Sequence, residues 1–250
     1  MNSSSLGSFI LTPPPPCKFH NPRFQTKPHL NFHHSLKPKF NFSTSLKATE
    51  PVSIPEEDMS CVAVEDFVDK DWSVLDYTGP STDRIIASGK IDENSKVLVS
   101  TASEEFVDSL VGCSKFKSLV VLHDSLLILA LLVEKYDNVM CWQGEVTIVP
   151  DTWAPFDAVF LYFLPALPFK LEDILASLAP KCSPGGRVIV SHPQGREILK
   201  QQRQQYPEVV VSDLPDKAHL QSVAAAYSFD VAEFVDEPDF YLAVLICSRT

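Results

Sequence analysis

No aspartate or glutamate occurs before Glu50. Over that stretch the chain places Lys18, Arg23, Lys27, Lys37, Lys39 and Lys47 among Ser, Pro, Phe and His. An acid-free, Ser-rich, basic N-terminus fits an organelle transit peptide. A secretory signal needs an uninterrupted apolar stretch, and the run Phe9-Ile10-Leu11 is stopped by Pro13 to Pro16. A mitochondrial presequence is an Arg-rich amphipathic helix, whereas this leader has one Arg and many helix-breaking prolines. Residues 1–48 are therefore expected to be a disordered plastid (chloroplast) transit peptide, cut near Ala48, with a disordered tail of a cytosolic protein as the alternative.

Other absences narrow the function. Taking the six basic leader residues from the 21 Lys and Arg leaves 15 against 32 Asp and Glu, a formal charge of −17 for the mature chain. No basic cluster survives there to neutralise phosphates, so no nucleic-acid partner is expected, and anionic membrane surfaces are disfavoured for the same reason. The longest apolar run, Ser125 to Val133, lies between Asp124 and Glu134 and is too short to span a bilayer. It reads as a buried helix, and no direct membrane insertion is expected. Cys17, Cys61, Cys113, Cys141, Cys182 and Cys247 are dispersed, without a Cys-x-x-Cys pair, so no metal is expected. The nucleophile elbow, the P-loop and the His-Glu-x-x-His pattern are missing as well.

What is present is regular. Residues 49–81 form an acidic arm punctuated by Phe67, Trp72 and Tyr77, which either remains solvated or docks on the domain or on a partner. From residue 82 to 250, strand and helix patterns alternate. Helix patterns cover Thr82 to Ala87, Ala102 to Leu110, Ser125 to Tyr136, Leu171 to Leu178, Gln194 to Gln205 and Ala218 to Tyr227. Strand patterns cover Lys96 to Ser100, Ser118 to Asp124, Val139 to Val146, Phe156 to Phe163, Arg187 to Ser191 and Glu208 to Val211. The paired runs Asp230 to Val235 and Phe240 to Ser248 close the chain. Strands apolar on both faces, joined by helices, imply a mostly parallel sheet covered on each side. The expected fold class is therefore a single α/β, doubly wound, Rossmann-like domain.

One segment is more specific. Phe156-Asp157-Ala158-Val159, then Leu178-Ala179-Pro180, then Ser183-Pro184-Gly185-Gly186 into Arg187-Val188-Ile189-Val190 resembles the class I S-adenosylmethionine (SAM) dependent methyltransferases. In that family it is the fourth strand, its helix and a Pro-Gly-Gly turn into the fifth strand. The ending, Phe229-Asp230-Val231 and Asp239-Phe240-Tyr241-Leu242, is similar to the family's closing hairpin. The resemblance implies SAM as cofactor. It also implies cofactor contacts from Ser100, Thr101 and Ala102 after the first strand, Asp124 after the second, Gly144 and Glu145 at the third, and Tyr162 at the fourth. Asp124 stands where a dinucleotide-type fold places an acid on the ribose hydroxyls, or else it helps to cap the next helix with Ser125.

The chain departs from the family at the first loop. A Gly-x-Gly-x-Gly pattern is expected there, and Val99-Ser100-Thr101-Ala102-Ser103-Glu104-Glu105 stands in its place. Side chains at 101, 103 and 105 fill space that Gly leaves open, and Glu104 and Glu105 set negative charge where the cofactor's carboxylate would lie. At the fourth strand, Tyr162-Phe163-Leu164-Pro165 lacks the Asn-Pro-Pro-Tyr signature of the adenine, cytosine and glutamine methylating branches. Methyl transfer needs alignment and exclusion of water more than a fixed acid or base, so no catalytic residue is named, although His123 and His192 lie near strand ends where a base would stand.

Three expectations follow. The chain is a non-catalytic plastid scaffold, assembly or regulatory factor with a protein partner, in the stroma or peripheral on the thylakoid. Alternatively, it is an active SAM-dependent methyltransferase with a divergent loop. A nicotinamide-dependent reductase is the third, and it suffers most from the missing glycines.

Overall fold

The structure, a computed structural model, describes residues 69–77 and 79–249. The transit-peptide reading and most of the acidic arm lie outside the described residues.

Seven strands form one sheet in the order β3-β2-β1-β4-β5-β7-β6. They are β1 (Lys96–Ser100), β2 (Ser118–Leu122), β3 (Val139–Trp142), β4 (Phe156–Leu161), β5 (Cys182–His192), β6 (Phe229–Glu237) and β7 (Phe240–Cys247). The first five run parallel, while β7 pairs antiparallel with both β5 and β6. Among the described residues six α-helices flank them, α1 (Ser81–Ser88) ahead of β1 and the others between strands: α2 (Glu104–Cys113), α3 (Leu126–Lys135), α4 (Leu171–Leu178), α5 (Gly195–Gln205) and α6 (Lys217–Ala226). The doubly wound, mostly parallel α/β domain expected from the alternation is what the chain builds.

The central strands are apolar on both faces because helices cover both. Val97, Leu98, Val99, Val159, Phe160, Leu161, Val188, Ile189 and Val190 are fully buried, each contributing about 1.5–3 kcal/mol of burial. The turn into the productive part of β5 carries Gly185 at φ +76, a conformation that Pro184-Gly185-Gly186 supplies and a branched residue would resist. Helices start where short polar side chains cap them. Ser125 Oγ accepts from the Ile128 amide at the head of α3, and Asp216 does the same for His219 at α6.

Several boundaries differ from the sequence reading: β2, β3 and β4 stop short of Asp124, Val146 and Phe163, with Val146–Ile148 a 3-10 turn, and β5 begins at Cys182, before Arg187. The run Glu208 to Val211 is not a strand. The Val209 and Val210 amides turn back to the Tyr206 carbonyl at the end of α5, and the Val211 amide bonds Pro165 O at 2.9 Å. Both sides of β5 are taken, one by β4 and the other by β7, so the run has no place beside it. Helix α2 begins at Glu104 and not Ala102, because Ser103 stays extended and caps it. At the other end, Trp72, Val74 and Leu75 join the hydrophobic core from a short 3-10 turn, so this part of the acidic arm is packed.

Candidate functional site

The direction of winding reverses between β1, which leads outward to β2 and β3, and β4, which leads the other way. Such a switch point opens a crevice at the carboxyl ends of the strands. A cavity of about 390 Å³ lies there, within the size range of ligand pockets. The ends of β1 and β2 line it through Ser100, Thr101, His123 and Asp124, and the loop after β3 through Gln143, Gly144 and Glu145. Ala166, Leu167, Pro168 and Phe169, from the segment after β4, close one side; Lys70 and Trp72 close another.

Five of the seven residues marked by resemblance thus line one cavity: Ser100, Thr101, Asp124, Gly144 and Glu145. Ala102 and Tyr162 do not. Ala102 is fully buried beneath the turn. The Tyr162 ring packs on Phe106 with centroids 4.3 Å apart, and its hydroxyl has no hydrogen-bond partner among the described residues. Burial pushes that hydroxyl's pKa up, so it stays protonated. The negative charge expected from Glu104 and Glu105 is also displaced from the cavity. Both sit in the first turn of α2, where Glu104 pairs with Lys135 at 3.0 Å and Glu105 faces Asp76 closely enough to help raise that carboxyl's pKa, after burial itself.

The turn from β1 into α2 is closed on itself. Ser100, Thr101, Ala102 and Ser103 are all buried. The Thr101 amide is spent on Leu122 O at 3.0 Å, and Ser103 Oγ takes the Phe106 amide at 3.2 Å. Thr101 adopts φ +54, a left-handed conformation that costs a β-branched residue about 1–2 kcal/mol. Two donors that an open glycine loop would offer a ligand are therefore satisfied internally.

Sequence reasoning missed the residues on the other wall. Lys70 Nζ lies 2.6 Å from Asp124 Oδ2. Asp69 accepts from Trp72 Nε1 at 3.1 Å and from the Ser125 hydroxyl. Trp72 meets His123 edge-on, with ring centroids 4.5 Å apart. His123 Nδ1 accepts the Ser125 amide at 2.9 Å, which puts the proton of the neutral ring on Nε2; that atom has no partner among the described residues. Burial holds its pKa down at about 4, against the opposing pull of Asp69 and Asp124. The signal in the sequence was the aromatic punctuation of the acidic arm by Phe67, Trp72 and Tyr77, which left docking on the domain as one reading without naming the cavity or Lys70. His192, by contrast, is fully used: Nε2 bonds Gln202 Oε1 at 3.0 Å, and Nδ1 takes the Gln194 amide at 3.3 Å.

A second, larger groove of about 850 Å³ lies between the segment after β4 and the loop Val211 to Asp216. Leu167, Pro168 and Phe169 border both spaces. Among the described residues, no three His, Cys, Asp or Glu side chains cluster as metal ligands, and no helix is long and apolar enough to cross a membrane.

No protein-family profile and no curated protein sequence matches the chain. Solved structures do. One is a chain of the complex between the Haloferax volcanii Trm112 methyltransferase activator and a methyltransferase, with TM-score 0.57 and 13% identity over 68% of this chain and 89% of that one. Another is a SAM-dependent methyltransferase from Mesorhizobium loti, with TM-score 0.54 and 12% identity over 67% and 98%. The N-methyltransferase NodS from Bradyrhizobium japonicum WM9 follows at TM-score 0.50 and 10% identity over 67% and 94%. With the strand order and the crevice at its switch point, these likenesses establish that the chain has the Rossmann-like fold of the class I SAM-dependent methyltransferases.

Proposed function

We propose that this chain is a plastid protein in which a methyltransferase-type fold serves as a non-catalytic scaffold, assembly or regulatory factor. The observation that carries this reading is the turn Ser100 to Ser103, which is buried and has its Thr101 amide and α2 cap satisfied from within. SAM has a nucleoside end and a methionine end. Asp124, Gly144 and Glu145 offer polar groups suited to a ribose and a base, but at the methionine end the side chains of Thr101 and Ser103 occupy room that glycine leaves open, and the Thr101 amide is already spent on Leu122 O. The residues present therefore do not fit the whole cofactor, and no methyl transfer is assigned.

A partner surface supports the scaffold reading. Helix α3 is apolar nearly all round, yet only Leu129 and Leu132 are buried. Leu127 is 64% exposed, and Leu126, Leu131 and Val133 are exposed beside it. A helix of this kind is normally covered on every side. Together with the basic, acid-free leader, it favours a protein partner inside the plastid, in the stroma or at the thylakoid surface.

The test is a titration of the full chain with SAM and S-adenosylhomocysteine, read by melting temperature and calorimetry. A ligand at a hundred times its Kd stabilises the folded state by about 2.7 kcal/mol, a shift of several degrees. No shift is expected at millimolar ligand. A clear shift would overturn the reading in favour of an active SAM-dependent methyltransferase, which the clustering of five family positions around one cavity favours. Import is tested separately: residues 1–48 fused to a fluorescent protein should direct it to plastids.

A further inference from the structure

Asp69 to Leu75 crosses the crevice like a strap. Its first residue is tied to the N-cap of α3 through the Ser125 hydroxyl, and Ser73 Oγ reaches Tyr206 OH at the end of α5, 3.2 Å away. Between these ties, Trp72 is 92% buried against His123, and Lys70 stands over the Trp72 ring at 5.7 Å while bonding Asp124. Asp124 is the carboxylate that a fold of this type turns toward ribose hydroxyls. A carboxylate oxygen already held by an ammonium group at 2.6 Å accepts poorly from a diol.

We propose that the strap is a built-in competitor for the nucleoside end of the crevice, with Lys70 as the displaceable latch on Asp124 and Trp72 as the anchor that stays. The two ends differ in strength for a physical reason. The Lys70 and Asp124 side chains are 42% and 57% exposed, and a pair of that kind is worth only about 0.2–1 kcal/mol. Trp72, by contrast, is lodged in the core cluster. The latch therefore opens without unfolding the strap, and Asp124 alternates between Lys70 and a ligand diol. This rests on the reading that the methionine end is closed, which is why the probe is adenosine and not SAM.

The experiment is a calorimetric titration of adenosine into the full chain, wild type and Lys70→Met, at low and high NaCl, with Asp124→Asn as the control. Removing the latch should tighten adenosine binding about two- to fivefold. Salt should tighten wild-type binding in the same direction, because it screens the Lys70 pair while adenosine carries no charge. Lys70→Met should be insensitive to salt, and Asp124→Asn should bind least. Trp72→Ala, if circular dichroism shows it folded, should gain more than Lys70→Met; the Lys70 side chain is exposed, so the first comparison does not depend on that variant. Equal affinity of wild type and Lys70→Met, weaker binding by Lys70→Met, or no adenosine binding by any variant would each overturn the proposal. SAM binding by the wild type would sink the closed methionine end alone, since the adenosine ratio is read independently of it.

Discussion

Acid should destabilise this domain already above the range where carboxylates titrate, because two histidines are buried neutral. His123 is 1% exposed and His192 is 0% exposed. Burial pushes each pKa down to about 4, whereas an unfolded histidine titrates near 6.5. Between those values the unfolded chain binds more protons than the folded one, so stability is complete above about pH 6.5 and is lost as the pH falls toward 4. Each histidine then costs about 2 kcal/mol at pH 5, and the pair about 4 kcal/mol, a large part of the 5–15 kcal/mol typical of a domain. Asp71 and Asp92, held below the usual carboxylate range by Ser73 and Asn94 respectively, act only at lower pH. Asp76, raised chiefly by burial, works in the opposite direction. Urea unfolding followed by the fluorescence of Trp72, Trp142 and Trp153 at pH 7.5, 6 and 5 measures the loss. His192→Gln keeps a donor toward Gln202 but removes one titrating group, so its pH slope should be about half that of the wild type. A flat profile from pH 7.5 to 5, or an undiminished slope in His192→Gln, would refute the reasoning.

Two glycines at positive φ should respond very differently to alanine. At Gly195 (φ +71) a Cβ would lie 2.5 Å from Phe240 N and 2.6 Å from Pro238 O, so Gly195→Ala should cost more than about 2 kcal/mol in the same urea assay. At Gly185 (φ +76) a Cβ meets nothing within 4 Å, so Gly185→Ala should cost about 1 kcal/mol, the conformational penalty alone. On α3, the double change Leu127→Lys and Leu131→Lys should leave the unfolding midpoint within about 0.5 kcal/mol of wild type. If α3 is the docking face proposed above, it should also abolish retention of the protein partner that the wild-type chain binds. Retention of that partner by the double variant would exclude this face as the docking surface.

The frame was legible wherever an apolar run had a single structural use. Lys96 to Ser100 and Leu171 to Leu178 have the same bounds in sequence and structure, and Ser125 caps α3 as its position before a leucine run implies. Val209-Val210-Val211 was misread because a short β-branched run has the composition of a strand whether or not a neighbour is free to pair with it. Here β7 takes the place beside β5, and the valines serve a turn. Around the crevice, residues at strand ends were legible because the fold fixes where strands end. Lys70 was not, and Trp72 only as an aromatic that could dock somewhere on the domain, since no periodicity in an acidic stretch says which part of the domain it will cross.

Thr101 shows what the junction of sheet and helix demands of the backbone. A β-branched residue at φ +54 is uncommon, and its cost of about 1–2 kcal/mol is a standing strain. The chain bears that strain because the backbone path is imposed by the junction: β1 must end level with β2 and β4, where the Thr101 amide bonds Leu122 O and the Tyr162 amide bonds Ser100 O, and α2 must then leave at once to cover Phe160 with Phe106. Glycine at such a turn serves two purposes, easing the left-handed step and leaving room for a ligand. At Thr101 the left-handed step is made without glycine. The turn here makes the connection between sheet and helix with Thr101 and Ser103 both buried in it, and the crevice remains beside it, bordered by Thr101, Lys70 and Trp72.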